Sequence, residues 1–430
     1  MTTLYGLGCF FVGFILTRAN GRNSFVWFYL FPIFIAYAVF GFTGLLLLKL
    51  DFLQDTYFTE AIETDAVIDS AILLTLESFF FFISTFFIFN SFFRIFGFRG
   101  APKQIDPTHL SFDGLGTLIV IYIVIAIYYL VSIHPSPLMM SVTDGPDVAY
   151  ARRIAVTRDY AGIGYLSTLA RSLSYVLSIG SLLYFLGRRS GVSAGLAMCC
   201  ISLAVVVILS NGEKAPLGLL FAALFYILFF LTKRKKVAFY GLIGTILLVV
   251  ISYAIYSEDS LSESLVSISH RILTGQMISI PLSIQYHNAG DFTGTETAGS
   301  STLRTLLGTG DAASPPMSQY LMWYYFPEMT KNGAFNVNGL FYGEGYGWAG
   351  RAGSILSSVY LGLMSACFLA VASVVGNRGL FTAFVFYIST SVTGVMTSLS
   401  LVLLSTSHVL TLAVIFMAVA LSKKTLHGRY

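Results

Sequence analysis

The chain has 430 residues, of which 56% are hydrophobic, 15% aromatic and only 11% charged, with a net charge of +4. A soluble domain carries about 25% charged residues, and no water-soluble fold has enough interior to hide this much apolar surface. The composition therefore indicates an all-α, multi-pass integral membrane protein. It excludes nucleic-acid binders, soluble dinucleotide enzymes and secreted disulfide scaffolds.

Apolar runs long enough to cross a bilayer, about 17–25 residues each, fall at 2–17, 24–48, 68–93, 114–133, 161–186, 192–210, 215–232, 237–256, 347–375, 380–398 and 401–421. The first run, in MTTLYGLGCFFVGFILTRANGR, has its charges, Arg18 and Arg22, after the apolar residues and not before them. It reads as a retained span and not as a signal peptide. Basic clusters recur at every second connection: Arg18/Arg22, Arg94/Arg99/Lys103, Arg188/Arg189, Lys233 to Lys236, Arg378 and Lys423/Lys424/Arg429. Under the positive-inside rule these are cytoplasmic, so about eleven spans place the N-terminus outside and the C-terminus inside. The acidic connection at 49–68 is then external. Cys9, Cys199, Cys200 and Cys367 all lie in apolar runs without metal-ligand spacing and are expected as buried thiols. The whole chain, 1–430, reads as a single integral membrane domain.

Two external segments stand apart. The segment 134–160 is expected as a loop and holds Arg152, Arg153 and Arg158, of which Arg152 and Arg153 oppose the positive-inside bias. Guanidinium forks match phosphate oxygens; the alternative is a solvated loop balanced by Asp144, Asp147 and Asp159. In SNGEKAPLGLL, Lys214 stands near a helix start, where free N–H groups favour an anion. The alternative there is a Glu213–Lys214 pair at the membrane surface. The second external segment, 257–346, contains the amphipathic stretches RILTGQMISIPLSI and SQYLMWYYFPEM, which predict short interfacial helices. It is acidic overall, so Arg271 and Arg304 stand out as anion ligands, and His270 and His287 as neutral-pH bases or as bland loop histidines.

The stretch FNVNGLFYGEGYGWAGRAGSIL contains Gly345-x-Gly347-x-x-Gly350. No strand precedes it and no βαβ unit surrounds it, so it is not a dinucleotide fingerprint. Its glycines instead let backbones approach closely at a helix entry. Glu344, expected at the rim beside aromatics, would serve as a base or pair with Arg351. Glu77 is the main candidate for an intramembrane charge, with Arg171 as its prospective partner. The sequence has no P-loop, HExxH, GxSxG, His–Cys cluster or DxD-type site, so no metal and no cofactor is expected.

Together, the order of hydrophobic helices with a late external loop, the segment NGEKAPLGLL, and GLFYGEGYGWAGRAGSILSSVYLG resemble the bacterial O-antigen polymerase (Wzy-type) family, within the wider group of repeat-unit polymerases and O-antigen ligases. The family's mid-chain motif often carries Arg where Lys214 stands here; Lys keeps the charge and loses the bidentate fork. The resemblance implies a GT-C-like membrane glycosyltransferase fold in the bacterial inner membrane. It also implies lipopolysaccharide biosynthesis from undecaprenyl-diphosphate-linked oligosaccharide, with a chain-length regulator as a further prospective partner. On this reading Arg152, Arg153, Arg158, Lys214, Arg271 and Arg304 would hold the diphosphate. Glu344 or His287 would take the acceptor proton, and Trp323, Tyr324, Tyr325 and Trp348 would stack on sugars. An O-antigen ligase, or a transporter or flippase of the same lipid-linked substrate, is the alternative.

Overall fold

The computed structural model describes residues 25–50, 52, 59–96, 105–158, 162–212, 214–232, 236, 239–241, 243–245, 247, 270, 275, 277–290, 317–331, 337, 339–375, 378–395 and 406–427. Among the described residues the secondary structure is helical, with one isolated bridge between Ser111 and Arg378 and no strand. Six helices among the described residues are long and apolar enough to cross a membrane: Phe28–Lys49, Asp65–Ile95, Leu115–Ser132, Gly164–Arg188, Gly191–Leu209 and Phe341–Ala372. Shorter apolar helices cover Pro216–Leu231, Gly379–Ser391 and Ser407–Ser422. Nine of the predicted runs thus coincide with helices; the run at 2–17 and most of that at 237–256 lie outside the described residues.

The chain forms two compact units. The first comprises Met1–Gln104, Val266–Val374 and Ser391–Ser405. Its first described helix, α1, runs from Phe25–Ile35 through a π-helical stretch, Ala36–Thr43, into Gly44–Lys49. Pro32 inside α1 removes one backbone donor and crowds the preceding turn, and the helix widens just beyond it. α2 (Asp65–Ile95) packs beside α1, and Lys49 and Asp69 form an ion pair between the two.

Among the described residues, three short helices follow in this unit: α9 (Ser279–Asn288), α10 (Met317–Tyr325) and α11 (Pro327–Lys331). The sequence predicted interfacial helices here. α9 departs from that, because every residue from Ser279 to Tyr286 is buried. Its Leu282 and Tyr286 share a core with Met317, Leu321, Met322 and Phe326, and Gln285 fixes it to the connection before α2. Gln285 Oε1 accepts from Glu63 N at 3.1 Å, and Nε2 donates to the Ala61 carbonyl at 3.0 Å. α12 (Phe341–Val375) completes the unit. A Cβ on Gly362 would meet the Phe82 carbonyl oxygen at 2.7 Å, so α12 and α2 touch backbone to backbone there.

The second unit comprises Ile105–Leu265, Val375–Thr390 and Thr406–Tyr430. It holds α3 (Leu115–Ser132), α4 (Pro137–Thr143), α5 (Pro146–Arg158), α6 (Gly164–Arg188), α7 (Gly191–Leu209), α8 (Lys214–Leu231), α13 (Gly379–Val395, which crosses the boundary) and α14 (Thr406–His427). The segment 134–160, expected as a loop, is mostly the α4–α5 pair. Ser136 caps α4 by accepting from Met139 N at 3.2 Å, and Gly145, at φ +95°, supplies the left-handed turn between the two helices. Within α6 the buried hydroxyl of Ser174 donates to the Ala170 carbonyl, and Gly180 lets Ala383 of α13 approach. Cys200 is buried as expected, but Cys199 is exposed and Cys367 half-buried, since neighbouring helix residues point about 100° apart.

Candidate functional site

In the first unit the site is built around a break in α12. Ala349 (φ −140°, ψ 28°) and Gly350 (φ 60°, ψ −150°) interrupt the helix, dividing it into a short arm, Phe341–Trp348, and a long rod beginning at Arg351. The arm folds back on the rod. A Cβ on Gly345 would come within 2.7 Å of the Gly353 carbonyl oxygen, although eight residues along a straight helix span about 12 Å. A Cβ on Gly343 would lie 3.1 Å from Ile280 Cα of α9, and one on Gly347 would lie 3.0 Å from the Met317 side chain. A side chain at Gly345 would thus run into backbone, and Gly343 and Gly347 leave little room, in line with the close approach the sequence implied for this stretch.

Glu344 lies on this arm and is only 3% exposed, not at a rim. His287, at the end of α9, packs on the same arm. Its ring centroid is 5.5 Å from that of Tyr346, and its Nε2 would be 2.8 Å from a Cβ on Gly350. The two residues proposed for proton transfer therefore belong to one assembly. Trp323, Tyr324 and Trp348 each expose more than a third of their surface. Tyr324 contacts Tyr286 edge-on at 5.2 Å, which sets it beside α9, while Trp348 stands next to the break.

The arm is fastened to α2. Tyr342 donates its hydroxyl to Thr75 Oγ1 at 2.9 Å and stacks on Tyr37, with centroids 5.4 Å apart and planes 3° from parallel. Ser78 bonds to Tyr37 Oη at 3.3 Å and to Ser358 Oγ on the rod. The Arg351 guanidinium grips Glu77 with both forks, Nε to Oε2 at 2.9 Å and Nη2 to Oε1. This corrects the Glu344–Arg351 pairing raised from the sequence: Arg351 is engaged by Glu77. The reason is the fold-back, which turns the first residue of the rod toward α2. Sequence reasoning gave no sign of Tyr37, Thr75 or Tyr342; a tyrosine within an otherwise apolar run is the only signal it held.

In the second unit, Arg152 donates from Nε to the Pro135 carbonyl at 3.1 Å and from Nη2 to the His134 carbonyl at 3.3 Å. It thereby anchors α5 to the chain leaving α3, which engages part of a guanidinium assigned to diphosphate. Arg153 is exposed, and its Cδ would lie 3.9 Å from a Cβ on Gly212. Gly212, at φ +71°, forms the turn into α8, whose first residue is Lys214. The Arg153 stem and the start of α8 are therefore neighbours, and Tyr175 of α6 holds that first turn by donating to the Pro216 carbonyl at 2.6 Å. Arg271 and Arg304 lie outside the described residues, as do the side chains of Arg158 and Lys214. Among the described residues no three His, Cys, Asp or Glu side chains gather as metal ligands.

No known protein family, curated protein or solved structure matches this chain.

Proposed function

We propose that this protein is a membrane glycosyltransferase that polymerises undecaprenyl-diphosphate-linked oligosaccharide repeat units at the periplasmic face of the bacterial inner membrane. The reading takes about eleven spans in a GT-C-like arrangement, N-terminus out and C-terminus in, from the hydropathy and charge pattern. Its main support is a buried carboxylate, Glu344, on a glycine-built arm that also carries an imidazole contact and ends beside exposed aromatic rings.

In the reaction, the bond between the anomeric carbon of the donor glycan and its diphosphate oxygen breaks, and the diphosphate leaves with the electron pair. The acceptor sugar hydroxyl forms the new glycosidic bond. Its proton passes to Glu344 or His287, each suited to general-base work. Neutralising the departing diphosphate is the kind of stabilisation that is often the largest catalytic term, and the family resemblance gives that work to the basic residues of the external segments. A bilayer-bound donor suits a protein whose described residues are dominated by apolar helices.

The broken helix favours a second reading. Transporters also place a charged residue at a helix interruption. One experiment separates the two: the full chain in liposomes, supplied with an undecaprenyl-diphosphate-linked repeat unit. A ladder of products that Glu344→Gln reduces at least about 100-fold, within the usual contribution of a general base, supports polymerisation. Movement of intact substrate across the bilayer without a ladder overturns it. Transfer only to a lipid A–core acceptor would assign the ligase instead.

A further inference from the structure

We infer that the Glu77–Arg351 ion pair is a positioning device that sets where Glu344 stands, a role beyond the reaction assigned above. For its activity readout, this inference rests on the glycosyltransferase reading.

A break inside an apolar helix removes hydrogen bonds that the bilayer cannot replace, so the surrounding structure must hold it in place. Here three points on α2 do so. Thr75 receives Tyr342 from the arm, Glu77 receives Arg351 at the first residue after the break, and Ser78 meets Ser358 on the rod. Residues 342 and 351 reach nearly the same level of α2 because the chain reverses between them, and Glu344 lies between those two attachments. On its other side, Gly343 rests on Ile280 and Gly350 on His287. Of the three α2 contacts, only Glu77–Arg351 is charged and bidentate, the geometry that fixes direction as well as distance. Its surroundings also suit a specific pair: Glu77 is 17% exposed while the Arg351 side chain is 67% exposed, so the more enclosed partner is the one that depends on its counter-charge. The pair therefore acts on Glu344 through the backbone of the arm.

The test uses the full chain in liposomes, with its four native cysteines replaced and Glu344→Cys introduced. The rate of labelling by a membrane-impermeant maleimide then reports the burial of position 344 without any need for activity. Glu77→Gln and Arg351→Gln are each expected to speed labelling at least about tenfold, the factor a pair coupling of about 1.4 kcal/mol gives. The exchange Glu77→Arg with Arg351→Glu is expected to return it to within about threefold of the parent. Arg351→Lys, which keeps the charge and loses the fork, carries the test if the glutamine variants do not fold, and is expected to fall between. With Glu344 intact, the glutamine variants should lower kcat for polymer formation while leaving KM for the acceptor within about twofold. Unchanged labelling in all single variants overturns the inference, as does acceleration that the exchange fails to reverse. Absence of polymer from the parent protein counts against the glycosyltransferase reading alone, since the labelling rates still decide the positioning role.

Discussion

Substituting alanine for Gly353 tests the fold-back that creates the candidate site. A methyl there would stand 2.9 Å from both Ala349 Cβ and the Gly345 carbonyl carbon, and closer still to the carbonyl oxygen. Carbon atoms rest about 3.5–4.0 Å apart, so the arm and the rod must separate by about 0.6 Å or more. The main obstacle is backbone, which moves only with the whole arm. Overpacking of this kind costs about 1–3 kcal/mol, against a gain of up to about 1 kcal/mol from replacing glycine by alanine in a helix. Gly116, in α3, provides the comparison, since nothing lies within 4 Å of its would-be Cβ and only the gain applies. Gly353→Ala is therefore expected to be less stable than Gly116→Ala by about 1–3 kcal/mol, a factor of roughly 5 to 150 in the folded-to-unfolded ratio. Thermal unfolding of both variants in the same lipid nanodiscs measures this. A transition for Gly353→Ala at or above that of Gly116→Ala would refute the packing of arm on rod.

Two further outcomes concern single hydrogen-bonded groups. Tyr342→Phe removes the hydrogen bond to Thr75 and keeps the ring on Tyr37; because Thr75 still donates to the Ala71 carbonyl, the loss should be only about 0.5–1.5 kcal/mol, read as a small drop in unfolding temperature. Asp106 accepts from the Thr108 backbone N–H at 2.9 Å and from its hydroxyl at 2.7 Å, and these bonds hold its carboxyl below the usual carboxylate range. A depressed folded-state pKa stabilises above the unfolded value and is lost as pH falls through the folded one. Asp106→Ala should thus lower the unfolding temperature at pH 7, and the difference from the parent should vanish in strong acid; a difference that persists there would exclude the linkage.

The break in α12 connects these observations to function. A straight helix through Glu344 would leave that carboxylate on one continuous rod. The reversal at Ala349 and Gly350 instead places it on a separate arm held by α2 and α9, with His287 against the turn. The proposed general-base role would depend on such preorganisation, because misplacement by about 1 Å can cost about 100-fold in rate.

The amino-acid sequence alone determined that the chain is helical and apolar, and where nine of its helices run, because each residue's preference for lipid over water is a local property. It also located the glycine-rich helix entry, since glycine at those positions reflects a local need for close approach. It did not determine the partners. The sequence separation is 274 residues for Glu77 and Arg351, 267 for Tyr342 and Thr75, and 280 for Ser78 and Ser358. In a bilayer, lipid is as apolar as a neighbouring helix, so hydrophobic periodicity no longer marks which face is buried. The burial of α9, the helical form of the 134–160 segment and the engagement of Arg152 by backbone carbonyls likewise depend on which elements come to lie side by side, and only the tertiary structure decides that.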